Sequence, residues 1–125
     1  MELGPRNAVI YNNRGVVYEA QGDQDRALAD YNRALEMDPE YAVAYYTRGT
    51  YHANRGDNER AIADYDQAIN FNHKLAAAYY SRGVARGLQG HHGQALADFE
   101  KYLELAPRAS NREQVEAIVR QLRGK

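Results

Sequence analysis

Several residue sets in this chain have types and spacings that could carry chemistry. The run Gly87-x-x-Gly90-x-x-Gly93 has the glycine density of a loop that cradles phosphate. That use needs a preceding strand and a following Lys-Ser/Thr, and neither is present. His91 and His92 could hold a metal, but adjacent histidines diverge on a turn and no third ligand lies close in sequence. Ser81 and Ser110 lack a histidine and an acid in an arrangement that would activate a hydroxyl. The expectation is a chain without catalysis, cofactor or metal.

One set is different. Arg14, Arg48 and Arg82 each precede a glycine, and Asp30, Asp64 and Asp98 each precede an aromatic residue. Both series advance in steps of 34 residues. A guanidinium fork can grip a carboxylate through two parallel hydrogen bonds. The pattern predicts an internal ladder of ion pairs between neighbouring helices. Such pairs specify helix register more dependably than they add stability.

The elements that must hold this ladder follow from the same period. YNNRG at Tyr11–Gly15 returns as YYTRG at Tyr45–Gly49 and YYSRG at Tyr79–Gly83. A motif recurring at one fixed step is an architecture. Tyr11, Arg14, Gly15 and Tyr18 follow i, i+3, i+4, i+7, one stripe of a helix. Ala27, Tyr31 and Ala34 make a second stripe, and Gly22-Asp23 between them is a breaker with turn chemistry. Each unit is therefore two antiparallel helices. Gly15 and Ala27 let the backbones approach while the tyrosines fill the space around them. The units run 8–41, 42–75 and 76–109, after a segment 1–7 and before a final helix in 110–125. Asp38-Pro39 and Asn72 are expected to cap the second and third units, and Ser110 with Glu113 to form a capping box for the final helix. The crowded glycines of the third unit predict the most mobile hairpin tip.

The bulk numbers exclude several classes. The chain has 125 residues, 16 basic and 17 acidic, for a net charge of −1. No basic stripe suited to nucleic acid is visible. There is no cysteine, and no apolar run approaches the roughly 18 residues of a membrane span. Met1 to Arg6 lacks the apolar segment of a signal peptide. Localisation stays open.

These residues resemble the tetratricopeptide repeat (TPR) family: aromatic, two-residue gap, residue plus Gly, two-residue gap, Tyr, then Ala, aromatic and Pro at a 34-residue period. The match covers residues 8 to 109, and the final helix resembles the family's capping helix. The RG and ADY wording is similar to repeats common in bacterial proteins. His52 and Arg86 depart from the tyrosine matching Tyr18, His73 from the proline matching Pro39 and Pro107, and Tyr102 from the alanine matching Ala34 and Ala68. The resemblance implies an all-α, right-handed α-solenoid of antiparallel hairpins, seven helices in total. It also implies a protein–protein interaction module, an adaptor or assembly scaffold, whose first helices line a concave groove.

The groove positions expected here are Val9, Asn12, Val16 and Glu19, then Val43, Tyr46, Thr50, Ala53 and Asn54, then Ala77, Tyr80, Val84 and Leu88. Tyr46 and Tyr80 are equivalent and should stand side by side. Family members that clamp a chaperone tail's carboxylate use Lys, Asn and Arg. The matching positions are Asn12, Val16, Thr47, Ala77 and Ser81, of which none is basic. The expected ligand is therefore a neutral or apolar peptide or a partner's helix, with a chaperone C-terminal tail disfavoured. Ala44, Tyr51, Ala78 and Ala85 should pack on the preceding unit, whereas their counterparts Ile10 and Val17 have no preceding unit. Either the chain is cut from a longer repeat array, or that face meets another molecule, which suits self-association into a homo-oligomer. A further alternative is a non-catalytic domain of a larger enzyme or regulator.

Overall fold

The computed structural model describes residues 5–124, with side chains from residue 7. Seven helices follow one another among the described residues: α1 (Pro5–Ala20), α2 (Gln24–Met37), α3 (Ala42–Asn54), α4 (Asn58–Phe71), α5 (Ala76–Leu88), α6 (His92–Leu105) and α7 (Arg112–Arg123). They pair as three hairpins, α1 with α2, α3 with α4 and α5 with α6, each packed on the next. α7 closes the stack against α6. None of these helices is long and apolar enough to cross a membrane.

Each hairpin turns at a glycine with positive φ: Gly22 at 81°, Gly56 at 77° and Gly90 at 82°. A side chain there would meet steric strain, which glycine avoids. The next residue opens the second helix. Asp23 and Asp57 accept from the backbone N–H of Arg26 and Arg60. His91 stands at the same place with similar backbone angles and makes no capping bond. His91→Asp should therefore restore the missing cap and stabilise the chain by about 1 kcal/mol. Urea unfolding would show this as a raised midpoint at unchanged slope; an unchanged or lowered midpoint contradicts it.

The capping expected at the joints between hairpins is corrected. Asp38 and Asn72 close the preceding helices, and their side chains accept from Glu40 N–H and Lys74 N–H in the connecting turns. The helices that follow begin behind Tyr41 and Leu75, neither of which makes a side-chain cap. The joint needs three residues to reverse the chain, so the short polar side chain is spent on the turn itself. Ser110 and Glu113 do not form the expected box either. α7 begins after Asn111, whose side chain makes no capping bond there. Asn111 Oδ1 instead accepts from the Tyr102 hydroxyl at 2.7 Å. Tyr102, the large residue at an otherwise alanine position, thereby ties the last joint.

Packing follows the expected alternation of small and large. Ala27, Tyr31 and Tyr51 form one buried cluster, and Ala8, Ala34, Leu35 and Ala44 the next. Ala68, Ile69, Ala78 and Tyr79 repeat the arrangement one unit later. Val115 and Val119 of α7 cover Ala95 and Phe99. The other side of α7 carries Glu113, Gln114, Arg120 and Gln121, all exposed. A terminal helix of this kind keeps a stack of hairpins soluble.

Candidate functional site

The arginine ladder forms with the expected fork geometry. Arg14 donates to Asp30 through Nε at 2.7 Å and Nη2 at 2.8 Å. Arg48 grips Asp64 at 2.9 and 2.8 Å, and Arg82 grips Asp98 at 3.0 and 2.8 Å. The bonds to Arg14 hold the buried Asp30 carboxyl below the usual carboxylate range. The bond to Asp64 likewise raises the Arg48 guanidinium. The two departures from tyrosine stand beside the same carboxylates, and only Arg86 bonds to one. Arg86 adds a third bond to Asp98 at 2.9 Å, and His52 lies 3.9 Å from Asp64. Burial lowers the His52 imidazole, which favours its neutral form. These arginines are occupied in holding the two helices of each hairpin together.

The ladder also crosses between units. Arg48 Nη1 donates to Asn32 of the preceding hairpin at 3.0 Å, and Arg82 Nη1 donates to Asp66 at 2.8 Å. At the end of the stack Glu100 takes Arg123 of α7 in place of a next unit's arginine. Sequence reading missed this link because Asn32, Asp66 and Glu100 share a position but not a residue type.

The opposite flank of the stack is open. Two adjoining depressions run along α1, α3 and α5. One, of about 360 Å³, is lined by Val16, Glu19, Ala20, Tyr31, Tyr46, Thr47 and Thr50. The other, of about 310 Å³, is lined by Thr50, Ala53, Asn54, Asn58, Tyr65, Tyr80, Ser81, Val84, Ala85 and Leu88. Thr50 belongs to both. Of the expected groove residues, Val16, Glu19, Tyr46, Thr50, Ala53, Asn54, Tyr80, Val84 and Leu88 come together here. Val9, Asn12, Val43 and Ala77 do not line either depression. Val9 and Val43 are nevertheless exposed.

The two tyrosines are held otherwise than expected. Tyr46 tilts against Tyr65 with ring centroids 5.9 Å apart. Tyr80 sets its edge to Phe99 at 5.8 Å and leans on Tyr102 at 5.2 Å. Each is half-buried on its own hairpin's second helix. The side-by-side pair read from their equivalent positions is not the contact that fixes them, because each ring finds an aromatic partner within its own unit.

Two polar groups in the floor, the hydroxyls of Tyr31 and Tyr65, come from residues that sequence reading assigned to the core, and they meet the expected groove residues Glu19 and Thr50. The Tyr31 hydroxyl donates to Glu19 at 2.7 Å, and Asn54 Nδ2 donates to the other oxygen of Glu19 at 3.2 Å. The Tyr65 hydroxyl and Thr50 Oγ1 are 3.1 Å apart. Burial, then the bond to Glu19, pushes the Tyr31 hydroxyl up, so it stays a neutral donor. A tyrosine at a core position with a polar residue facing it across the hairpin was the available signal. One turn before Val16, Asn12 is 3% exposed, and its Oδ1 has no hydrogen-bond partner. A buried amide oxygen left unpaired costs about 1–3 kcal/mol. His91 and His92 are exposed at the turn before α6. Among the described residues no cluster of three or more His, Asp or Glu could hold a metal.

Nested hairpins with one apolar, open flank define an α-helical repeat protein of the solenoid class. The chain belongs to the tetratricopeptide repeat family, whose models match residues 8–41, 30–63 and 48–123, the last spanning more than half the chain. It is a protein–protein interaction module. No curated protein sequence matches it. Among solved structures, the first TPR of Spaghetti (RPAP3) bound to the HSP90 peptide SRMEEVD is 24% identical, with a TM-score of 0.88 over 99% of this chain and 96% of that one. The second TPR domain of human RPAP3 in complex with the HSP70 peptide SGPTIEEVD is 28% identical, with a TM-score of 0.83 over 98% and 100%. The Arabidopsis OM64 TPR domain is 22% identical, with a TM-score of 0.85 over 94% and 97%.

These neighbours correct the expected partner. A chaperone tail was disfavoured and a neutral or apolar peptide preferred on five side chains. Yet a domain 28% identical and matched along its whole length holds an acidic chaperone tail. Five positions are a small part of a groove. Side-chain hydroxyls and amides elsewhere in it can also satisfy a carboxylate.

Proposed function

We propose that the groove along α1, α3 and α5 binds an extended C-terminal segment of a partner protein, and that the chain works as an adaptor without catalysis. The repeat units are taken as 8–41, 42–75 and 76–109, with the capping segment 110–125. The observation that carries the reading is the pair of depressions joined at Thr50, with exposed Val16, Val84 and Leu88 on their walls. An idle surface gains nothing from such a row of apolar side chains. An acidic chaperone tail is the first ligand to try, since similar domains are held with SRMEEVD and SGPTIEEVD. In this chain the apolar residues of the tail would rest on Tyr46, Tyr80 and the valines. Its carboxylates would meet the hydroxyls of Thr50 and Ser81, away from Glu19, which already takes the Asn54 amide.

The test is a calorimetric titration of SGPTIEEVD into the wild type and into Val84→Glu. Val84 is exposed in the groove, so the substitution adds a like charge beside the tail without emptying the core. The variant should bind at least about tenfold more weakly at unchanged melting temperature. Equal binding by both chains, or none by the wild type, removes this reading of the groove and its ligand.

A further inference from the structure

The groove carries one charge, and its place gives the groove a direction. Of the residues lining the two depressions, Glu19 alone is charged, and it stands on α1 in the depression that holds Val16 and Tyr46. Both its hydrogen-bond partners are neutral: the Tyr31 hydroxyl donates to one oxygen and Asn54 Nδ2 to the other. A carboxylate offers about four lone-pair positions, so each oxygen can accept once more. Among the described residues no arginine, lysine or histidine lies within ion-pair distance of it. Arg55, next to Asn54, gives its guanidinium to Gln24 and to the Tyr51 carbonyl instead. The two bonds also hold the carboxylate in place, since Tyr31 is 0% exposed and fixed in the second helix of the hairpin. An oriented carboxylate without a counter-charge attracts a cation and repels a second carboxylate.

We propose, resting on the groove reading above, that Glu19 seats a cationic side chain, arginine or lysine, lying upstream of the acidic end of the bound tail. Glu19 then sets the order in which the tail lies. The tail's carboxylates go to the other depression, where Thr50 and Ser81 offer hydroxyls and no acid lines the wall. The stem of the cation rests on Val16 and the Tyr46 ring, beside Glu19. The reach fits. α1 packs on α3 and α3 on α5, so two steps of about 8–10 Å separate the ends of the groove. An extended chain covers about 3.3 Å per residue, so about five residues and the length of an arginine side chain span it.

The probe is SRMEEVD, which carries an arginine upstream of its acidic end. It and the same peptide with alanine in place of that arginine are titrated calorimetrically into the wild type, Glu19→Gln and Glu113→Gln. The wild type should bind SRMEEVD about fivefold more tightly than the alanine peptide. Glu19→Gln keeps an acceptor for the Tyr31 hydroxyl and should bind the two peptides alike. Glu113→Gln removes the same charge from the exposed side of α7 and should keep the full preference. A spin label on the amino end of SRMEEVD reads the direction on the wild type alone. It should broaden the amides around Val16 and Glu19 and spare those around Val84 and Leu88. Equal binding of the two peptides by the wild type, a preference that survives in Glu19→Gln, or broadening centred on Val84 would overturn the role of Glu19 while the groove reading stands. Binding of neither peptide by the wild type would overturn both.

Discussion

Gly49→Ala is expected to destabilise the chain by about 2 kcal/mol, although alanine is the better helix former. A Cβ at Gly49 would lie 2.8 Å from Cε1 and 2.9 Å from Cδ1 of Tyr65, and 3.1 Å from the Ala61 carbonyl oxygen. Tyr65 is 1% exposed, tilted against Tyr46, and in hydrogen-bonding distance of Thr50. Its ring cannot swing aside without disturbing the groove floor. Overpacking a core of this kind costs up to about 3 kcal/mol, and the gain in helix propensity returns about 1. The same change at Gly83 should cost less, because Phe99 lies 3.1 Å from the added carbon and has no hydroxyl to hold it. Thermal unfolding would read the first as a fall of roughly 8 °C. A Gly49→Ala chain as stable as the wild type would mean that the helices do not approach as closely as described here.

The second large effect is at Asp98. Its carboxylate, 3% exposed, accepts two bonds from Arg82 and one from Arg86. Both arginine side chains are themselves mostly covered. Asp98→Ala leaves two guanidiniums partly out of water without a counter-charge, and should cost about 3 kcal/mol. Arg82→Met with Asp98→Leu removes that pair together and should recover part of the loss, Arg86 alone still lacking its carboxylate. Denaturant midpoints of the two single variants and the double variant give the coupling directly. Strictly additive losses would contradict the ladder as a stabilising pair.

Much of this architecture was legible because one repeat constrains every level at once. The step between Gly15, Gly49 and Gly83 placed the turns, the paired helices and the arginine–aspartate forks. Features that break the period were harder to read. The link from Arg48 to Asn32 and from Arg82 to Asp66 joins positions whose residue types differ. Asp38 and Asn72 look like helix starters in sequence, yet the three-residue reversal after each claims their side chains. Tyr31 and Tyr65 read as core, which they are, but their hydroxyls pass through the hairpin to the groove floor. Ligand chemistry was the least legible part. It depends on how donors from three helices converge, and five isolated side chains were a poor guide to it.

The central claim is that the flank centred on Thr50 holds a partner's tail. Amide and methyl NMR shifts of the labelled chain during titration with SGPTIEEVD test it most directly. The account predicts shifts gathered on Val16, Tyr46, Thr50, Tyr80, Val84 and Leu88 and on the floor residues Tyr31 and Tyr65, with Ile10 and Val17 on the outer face of α1 unmoved. Shifts confined to the second helices or to Ile10 and Val17, or a spectrum that does not change, would contradict it.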